Sequence, residues 1–193
     1  MTIKGETMQP NIHEQKMQHL FQSFDVDGSG YLDKGDFDAM AERVAKDKHC
    51  TQDAKKREQL KASFHGFWQS VSTLDKDRDG RVTQKEFVDY FAQLQKDPKA
   101  NASQVVNTIS NILFVCADCN GTGNISPDEF EGLCKAYGIS NGDVKKVFSK
   151  HARGNPNQMN RTEWEGLVKE MFYSTDPSCA GSMLLMGVQR GRA

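Results

Sequence analysis

Apolar residues recur along this chain at helical spacing, and acid- and glycine-rich turns interrupt the runs. Ile12, Met17, Leu20, Phe21 and Phe24 share one face of a helix that starts near Pro10 and Asn11. Steps of three and four residues are those of an amphipathic helix. Phe37, Met40 and Val44 predict a second helix, whose end is unmarked between Lys48 and Thr51. A long helix follows from about Asp53 to Leu74, with Leu60, Phe64, Phe67, Trp68 and Val71 on its apolar face. Phe87, Val88, Phe91 and Leu94 predict the next, and Asp97-Pro98 ends it and marks a boundary between halves. Beyond it the pattern predicts helices at about 102–117, 127–137 (stopped by Gly138), 141–151 and 161–172. The fold class is all-α: four helix–loop–helix units in two pairs forming one globule. At most two-residue β contacts join paired loops, at Leu32, Val82, Ile125 and Met159.

Three of the turns repeat one twelve-residue pattern that a divalent cation would select. They begin at Asp25, Asp75 and Asp118. Oxygen-bearing side chains stand at positions 1, 3, 5 and 9, glycine at 6, an apolar residue at 8 and an acid at 12. A hard cation such as calcium takes six to eight oxygens. Alternate positions point inward as the backbone curls, the glycine takes the sharp turn, and the acid closes the cage from the next helix. The first loop offers Asp25, Asp27, Ser29, the Tyr31 carbonyl, Asp33 and Asp36, with Gly30 at the turn and Leu32 apolar. The second offers Asp75, Asp77, Asp79, the Arg81 carbonyl, Thr83 and Glu86, with Gly80 and Val82. The third offers Asp118, Asn120, Thr122, the Asn124 carbonyl, Ser126 and Glu129, with Gly123 and Ile125. Position 9 often acts through a water, so Asp33, Thr83 and Ser126 are the softest members. Phe37, Phe87 and Phe130 each follow a closing acid.

The loops differ in charge. The third has two carboxylates, Asp118 and Glu129, and is expected to bind calcium more weakly than the other two. The first closes with Asp36, one methylene shorter than glutamate, which favours six ligands over seven and hence competition by magnesium. A fourth stretch, Ala152 to Glu163, keeps the closing acid, Met159 at the apolar position and Trp164 after it. Ala152, Gly154 and Pro156 replace the ligands at positions 1, 3 and 5, and Asn157 replaces the glycine. It is expected to hold no ion and to support the third loop structurally. The expected organisation is an N-terminal pair at 11–97, a C-terminal pair at 100–173 and an apolar tail at 174–193.

Composition narrows the function. The chain has 193 residues, 37% of them hydrophobic, enough for a core, and a net charge of −1. That balance gives no support to nucleic-acid or membrane-surface binding. No apolar run is long enough to span a bilayer. The five cysteines, Cys50, Cys116, Cys119, Cys134 and Cys179, are odd in number and no signal peptide precedes them, so free thiols in the cytoplasm are expected. Cys116 and Cys119 form a C-x-x-C, but no second pair or nearby histidine completes a zinc site. His13, His19, His49, His65 and His151 lack a nucleophile in any recognisable arrangement. They read as surface or partly buried side chains, Trp68 and Trp164 read as core, and no catalytic constellation supports an enzyme. After Asp176-Pro177, the tail carries Met183, Leu184, Leu185, Met186 and Val188. This patch is expected to dock across the core, covering the surface a calcium sensor needs for targets.

With three competent loops, a silent fourth, loop starts at 25, 75, 118 and 152, and an apolar tail, the chain resembles the sarcoplasmic calcium-binding protein family over nearly its whole length. The resemblance implies a monomeric cytoplasmic buffer of calcium and magnesium without catalysis. The same superfamily includes coelenterazine photoproteins and luciferin-binding proteins, and the ending from Phe172 to Cys179 looks like theirs too. The positions of their cavity histidine, tryptophan and tyrosine correspond here to Val168, Phe172 and Met183, and that of their first-helix histidine to Met17. Light emission is therefore not expected. The alternatives to a buffer are a calcium sensor and a calcium-triggered luciferin-binding protein, which would hold a small apolar ligand.

Overall fold

A computed structural model describes residues 11–46, 54–96, 102–136, 139 and 144–186. The expected helix end between 48 and 51, the boundary at Asp97-Pro98, the Gly138 stop, the helix start at 141, His49 and Val188 lie outside these residues. Helix α1 spans Ile12–Phe24, α2 Lys34–Ala45, α3 Ala54–Val71, α4 Gln84–Lys96 and α5 Ala102–Ala117. They are followed by α6 Pro127–Ala136, α7 Val144–His151, α8 Arg161–Tyr173 and α9 Ala180–Met186.

Local chemistry sets the helix ends. The Asn11 side chain accepts the Glu14 N–H at 2.9 Å and caps α1. Asp33 with Asp36, and Asn160 with Glu163, form reciprocal capping boxes at α2 and α8. The long third helix stops being α-helical at Val71, and Ser72–Leu74 tighten into a 3₁₀ turn. Ser72 Oγ and Thr73 Oγ1 donate to the carbonyls three residues back, at 3.0 and 2.7 Å. Such local hydroxyl bonds compete with the α-helical ladder.

Two short antiparallel ribbons join the loops. β1 (Tyr31–Leu32) pairs with β2 (Val82–Thr83), and β3 (Asn124–Ile125) with β4 (Met159–Asn160). Leu32 faces Val82, and Ile125 faces Met159, all fully buried, so the apolar position of each loop anchors its neighbour. Beneath the first ribbon lies an aromatic core. Phe67 meets Phe24 and Phe37 edge-on at 5.2 and 4.9 Å, and Phe87 meets Phe21 at 5.7 Å. Such edge-to-face pairs are worth about 0.5–1.5 kcal/mol beyond their burial. Phe130 and Phe148 pack at 5.5 Å under the second ribbon. Phe91 against Phe172, at 5.1 Å, ties the halves together.

The tail is docked, as its apolar composition implied, and docks as a helix. Leu184 and Leu185 are buried in the common core, and α9 packs on α1, α7 and α8. The approach to α8 is close. A Cβ at Gly181 would lie 2.4 Å from the Met171 nitrogen and 2.6 Å from the Glu170 carbonyl carbon.

Candidate metal centres

Each loop begins where a helix ends. Asp25 closes α1 and its own N–H bonds the Phe21 carbonyl at 2.9 Å. Its carboxylate accepts the N–H groups of Ser29 at 2.9 Å and Gly30 at 3.0 Å, which curls the loop around it. Asp75 accepts Arg78 at 2.7 Å and Gly80 at 2.9 Å, and Asp118 accepts Thr122 at 2.9 Å and Gly123 at 2.8 Å. Gly30, Gly80 and Gly123 take φ of 86°, 86° and 77°, as the sequence pattern requires.

The closing acids reach back across the loops. Asp36 accepts the Val26 and Asp33 N–H groups, both at 2.9 Å. Glu86 accepts Lys76 and Thr83 at 2.9 and 2.8 Å, and Glu129 accepts Asn120 and Ser126 at 3.3 and 2.9 Å. Asp36 thus makes the contacts of a glutamate with a shorter arm, and it is 3% exposed. Position 9 serves mainly as a helix cap. Asp33 accepts the Gly35 N–H at 2.6 Å, and the Thr83 and Ser126 hydroxyls donate to their closing glutamates at 2.7 and 2.8 Å.

The remaining candidate ligands share the loop interiors. Asp27 and Asn120 accept the N–H two residues on, at 2.9 and 3.0 Å, as does Asp77, at 3.2 Å. Asp79 accepts the Arg81 N–H at 2.8 Å. The Ser29 and Thr122 hydroxyls lie 3.1 and 3.2 Å from the carbonyls of Tyr31 and Asn124. In the first loop, oxygens of Asp25, Asp27 and Asp36 lie within 4.8 Å of one another, and in the second those of Asp75, Asp77 and Glu86 do the same. Three carboxylates so close repel unless a cation sits among them. Burial pushes the Asp36 carboxyl up, with Asp27 adding to the rise against the N–H bonds from Asp33 and Val26. At Glu86 burial acts the same way, but the bonds from Thr83 and Lys76 outweigh it and hold the carboxyl below its usual range. The donor set is all oxygen, the chemistry calcium or magnesium requires.

The fourth loop is closed without an acid at position 1. Glu163 accepts the N–H groups of Arg153, Gly154 and Asn160 at 2.8, 2.9 and 2.9 Å, while Ala152 is buried. Trp164 is buried and its indole N–H bonds the Ser110 carbonyl at 3.0 Å.

Several features escape the sequence pattern. Position 4 of all three loops also takes positive φ: Gly28 at 73°, Arg78 at 62° and Gly121 at 71°. The glycines at two of these positions were the available signal. Arg81 lies over the Tyr31 ring at 4.2 Å, stacking the first two loops across their ribbon. His13 and His151 are buried rather than superficial. His19 and Trp164 line an apolar cavity of about 40 Å³ with Leu113, Phe130, Leu184 and Leu185. The cysteines also differ from the expectation. Cys116, Cys134 and Cys179 are buried, and burial pushes the Cys116 and Cys134 thiols up to about 12. Cys119 is disulfide-bonded, not a free thiol. Cys50 lies outside the described residues.

Helix–loop–helix units joined by loop ribbons, with converging carboxylates, define an EF-hand calcium-binding protein, and a family model for the EF-hand domain pair matches residues 14–92. The chain is similar to sarcoplasmic calcium-binding proteins. It is 31% identical over 116 residues to the sarcoplasmic calcium-binding protein of Hediste diversicolor, covering 60% of this chain and 64% of that one. The structure of a sarcoplasmic calcium-binding protein from amphioxus superposes with a TM-score of 0.75 at 21% identity, over 94% of this chain and 99% of that one. The calcium-loaded apo form of coelenterazine-binding protein from Renilla muelleri gives 0.69 at 20% identity, over 90% and 94%. At these identities the two structures speak for the fold alone.

Proposed function

We propose that the protein buffers calcium and magnesium through three sites, with Asp25 to Asp36 as site one, Asp75 to Glu86 as site two and Asp118 to Glu129 as site three. In this reading the ligands are Asp25, Asp27, Ser29, Tyr31, Asp33 and Asp36; Asp75, Asp77, Asp79, Arg81, Thr83 and Glu86; and Asp118, Asn120, Thr122, Asn124, Ser126 and Glu129. Magnesium competes most at site one, where the closing Asp36, one methylene shorter than glutamate, favours six ligands over seven. The observation that carries the buffer reading is the covered apolar surface. Helix α9 occupies the face between α1, α7 and α8, and among the described residues the one exposed large hydrophobic side chain is Val115, at 46%. A sensor must present a groove when calcium binds.

A luciferin-binding role has less support. The cavity beside His19 and Trp164, about 40 Å³, has room for a few waters. Pockets for drug-sized ligands run to roughly 300–1,000 Å³. A wider hollow of about 360 Å³ is lined by Val44, Leu60 and Phe114 but also by Asp118 and Arg161, so it lacks the apolar enclosure such a ligand needs.

Fluorescence of a hydrophobic dye with the ion-free, magnesium and calcium forms tests the buffer reading. A buffer gives its highest signal without ions and loses it with either cation. A signal that rises only with calcium means a groove opens, and a sensor replaces the buffer.

A further inference from the structure

Helix α1 carries two sets of contacts at its two ends. Its C-terminal end is Asp25, the first residue of the site-one loop. Its other turns hold the C-terminal ends of two helices distant in sequence. The His13 Nε2 lies 2.8 Å from the Phe172 carbonyl. Lys16 is fully buried, and its ammonium donates to the carbonyls of Glu170 at 2.7 Å and Ser174 at 2.8 Å. The His19 Nδ1 lies 3.0 Å from the Leu185 carbonyl of α9. The last carbonyls of a helix lack partners within it and carry its negative dipole end, so a buried ammonium is favourable there.

The network continues into the tail. The Glu170 carboxylate accepts the Gly181 N–H at 3.2 Å and lies 3.3 Å from the Nε2 of His151, next to the silent loop. Seven residues are too few for a helix to persist alone in water, so α9 depends on the surface it meets. Part of that surface is α1. Ion binding at site one joins Asp25, at the end of α1, to Asp36, in the first turn of α2, and so fixes the angle between these helices. Through thirteen residues of continuous helix, that angle also sets where Lys16 and His19 meet α8 and α9.

We infer that calcium binding at site one and docking of α9 are reciprocally coupled through α1, with Lys16 as the positioning residue. The inference rests on the assignment of Asp25 to Asp36 as an ion site. Filling site one seats the tail, and a seated tail holds α1 where site one binds best. Equilibrium coupling obliges the two effects to be equal in size.

The test is hydrogen exchange of the amides at 180–186, with calcium titrations of the full chain and of a chain ending at residue 176. Calcium is expected to slow exchange of these amides about tenfold in the wild type. The Asp25→Asn variant, which still fills sites two and three, is expected to lose that protection. The shortened chain is expected to lose about tenfold in affinity at site one alone. Lys16→Met, and His19→Ala as the milder change, are expected to abolish the calcium dependence of α9 protection. Equal protection with and without calcium, or undiminished calcium-dependent protection in Asp25→Asn, overturns the coupling. If Lys16→Met and His19→Ala loosen α9 equally in both states and leave site-one affinity unchanged, their roles are structural and the coupling through α1 is wrong. If Asp25→Asn binds as many calcium ions as the wild type, the site-one assignment itself fails, and the coupling with it.

Discussion

Arg78 shows how much a single loop position can ask of the backbone. It adopts φ of 62° where the other two loops place Gly28 and Gly121. A left-handed conformation costs a non-glycine residue roughly 1–3 kcal/mol, and the site-two loop tolerates it because Asp75 accepts the Arg78 N–H at 2.7 Å. Charge separates the sites further. Site two gathers Asp75, Asp77, Asp79 and Glu86, whereas site three has Asp118 and Glu129 among neutral oxygens. The Glu129 closure is also looser, with Asn120 at 3.3 Å against 2.9 Å for Lys76 on Glu86. If site two is the stronger, as its charge predicts, removing one of its ligands costs more tight binding. In calorimetric titrations, Glu86→Gln is therefore expected to lose more high-affinity calcium binding than Glu129→Gln. The opposite order would refute the ranking.

At the scale of elements, the contact between α8 and α9 is the most sharply constrained. Glycine is ordinarily a poor helix residue, and replacing it with alanine gains about 1 kcal/mol where there is space. Gly181 has none, because its Cβ would meet the α8 backbone, which cannot swing aside as a side chain can. Gly181→Ala is expected to push α9 away and destabilise the protein by about 1–3 kcal/mol, with increased dye binding to the uncovered face. Urea unfolding with the dye measurement checks this. A variant as stable as the wild type that binds no more dye would mean α9 is not held by this close approach. The paired loops show the same economy, since a two-residue ribbon suffices once Leu32 and Val82 are buried face to face.

For the whole molecule, the pH dependence of stability is expected to follow groups buried away from the three loops. Burial lowers the pKa of His13, with Lys16 adding to the effect against the Phe172 carbonyl. Burial also draws Lys16 down to about 8, although Cys179 and Glu170 act against it. For His13 the unfolded chain takes up a proton near pH 6.5, while the folded protein resists until lower pH. Stability is therefore lost as pH falls below 6.5 towards the folded value. Lys16 acts in the alkaline range, where stability rises with pH from about 8 towards 10.5 as the folded protein sheds its proton first. Thermal unfolding of ion-free protein is expected to show a lower midpoint at pH 5.5 than at pH 7, with a smaller difference in His13→Gln. An unchanged difference in that variant would assign the pH dependence elsewhere.

The sequence by itself determined the all-α architecture and the loops, because both are local. Helical spacing of Leu20, Phe21 and Phe24 needs neighbours within a turn or two, and an ion cage needs twelve consecutive residues of the right type. The departure of the fourth loop from the pattern is legible for the same reason, since Ala152 stands where an acid belongs. Local hydroxyl competition at Ser72 and Thr73 was also written there, but spacing alone did not weigh it. Tertiary structure decided what depends on distant partners. Helical periodicity does not distinguish a buried histidine from an exposed one, so His13 emerged only when α8 brought the Phe172 carbonyl to it. The tail's hydrophobicity announced that it would be covered, but not where. The place was set by a missing side chain at Gly181, which lets α9 meet α8, and by a buried ammonium at Lys16 that reaches carbonyls at the end of α8 more than 150 positions away.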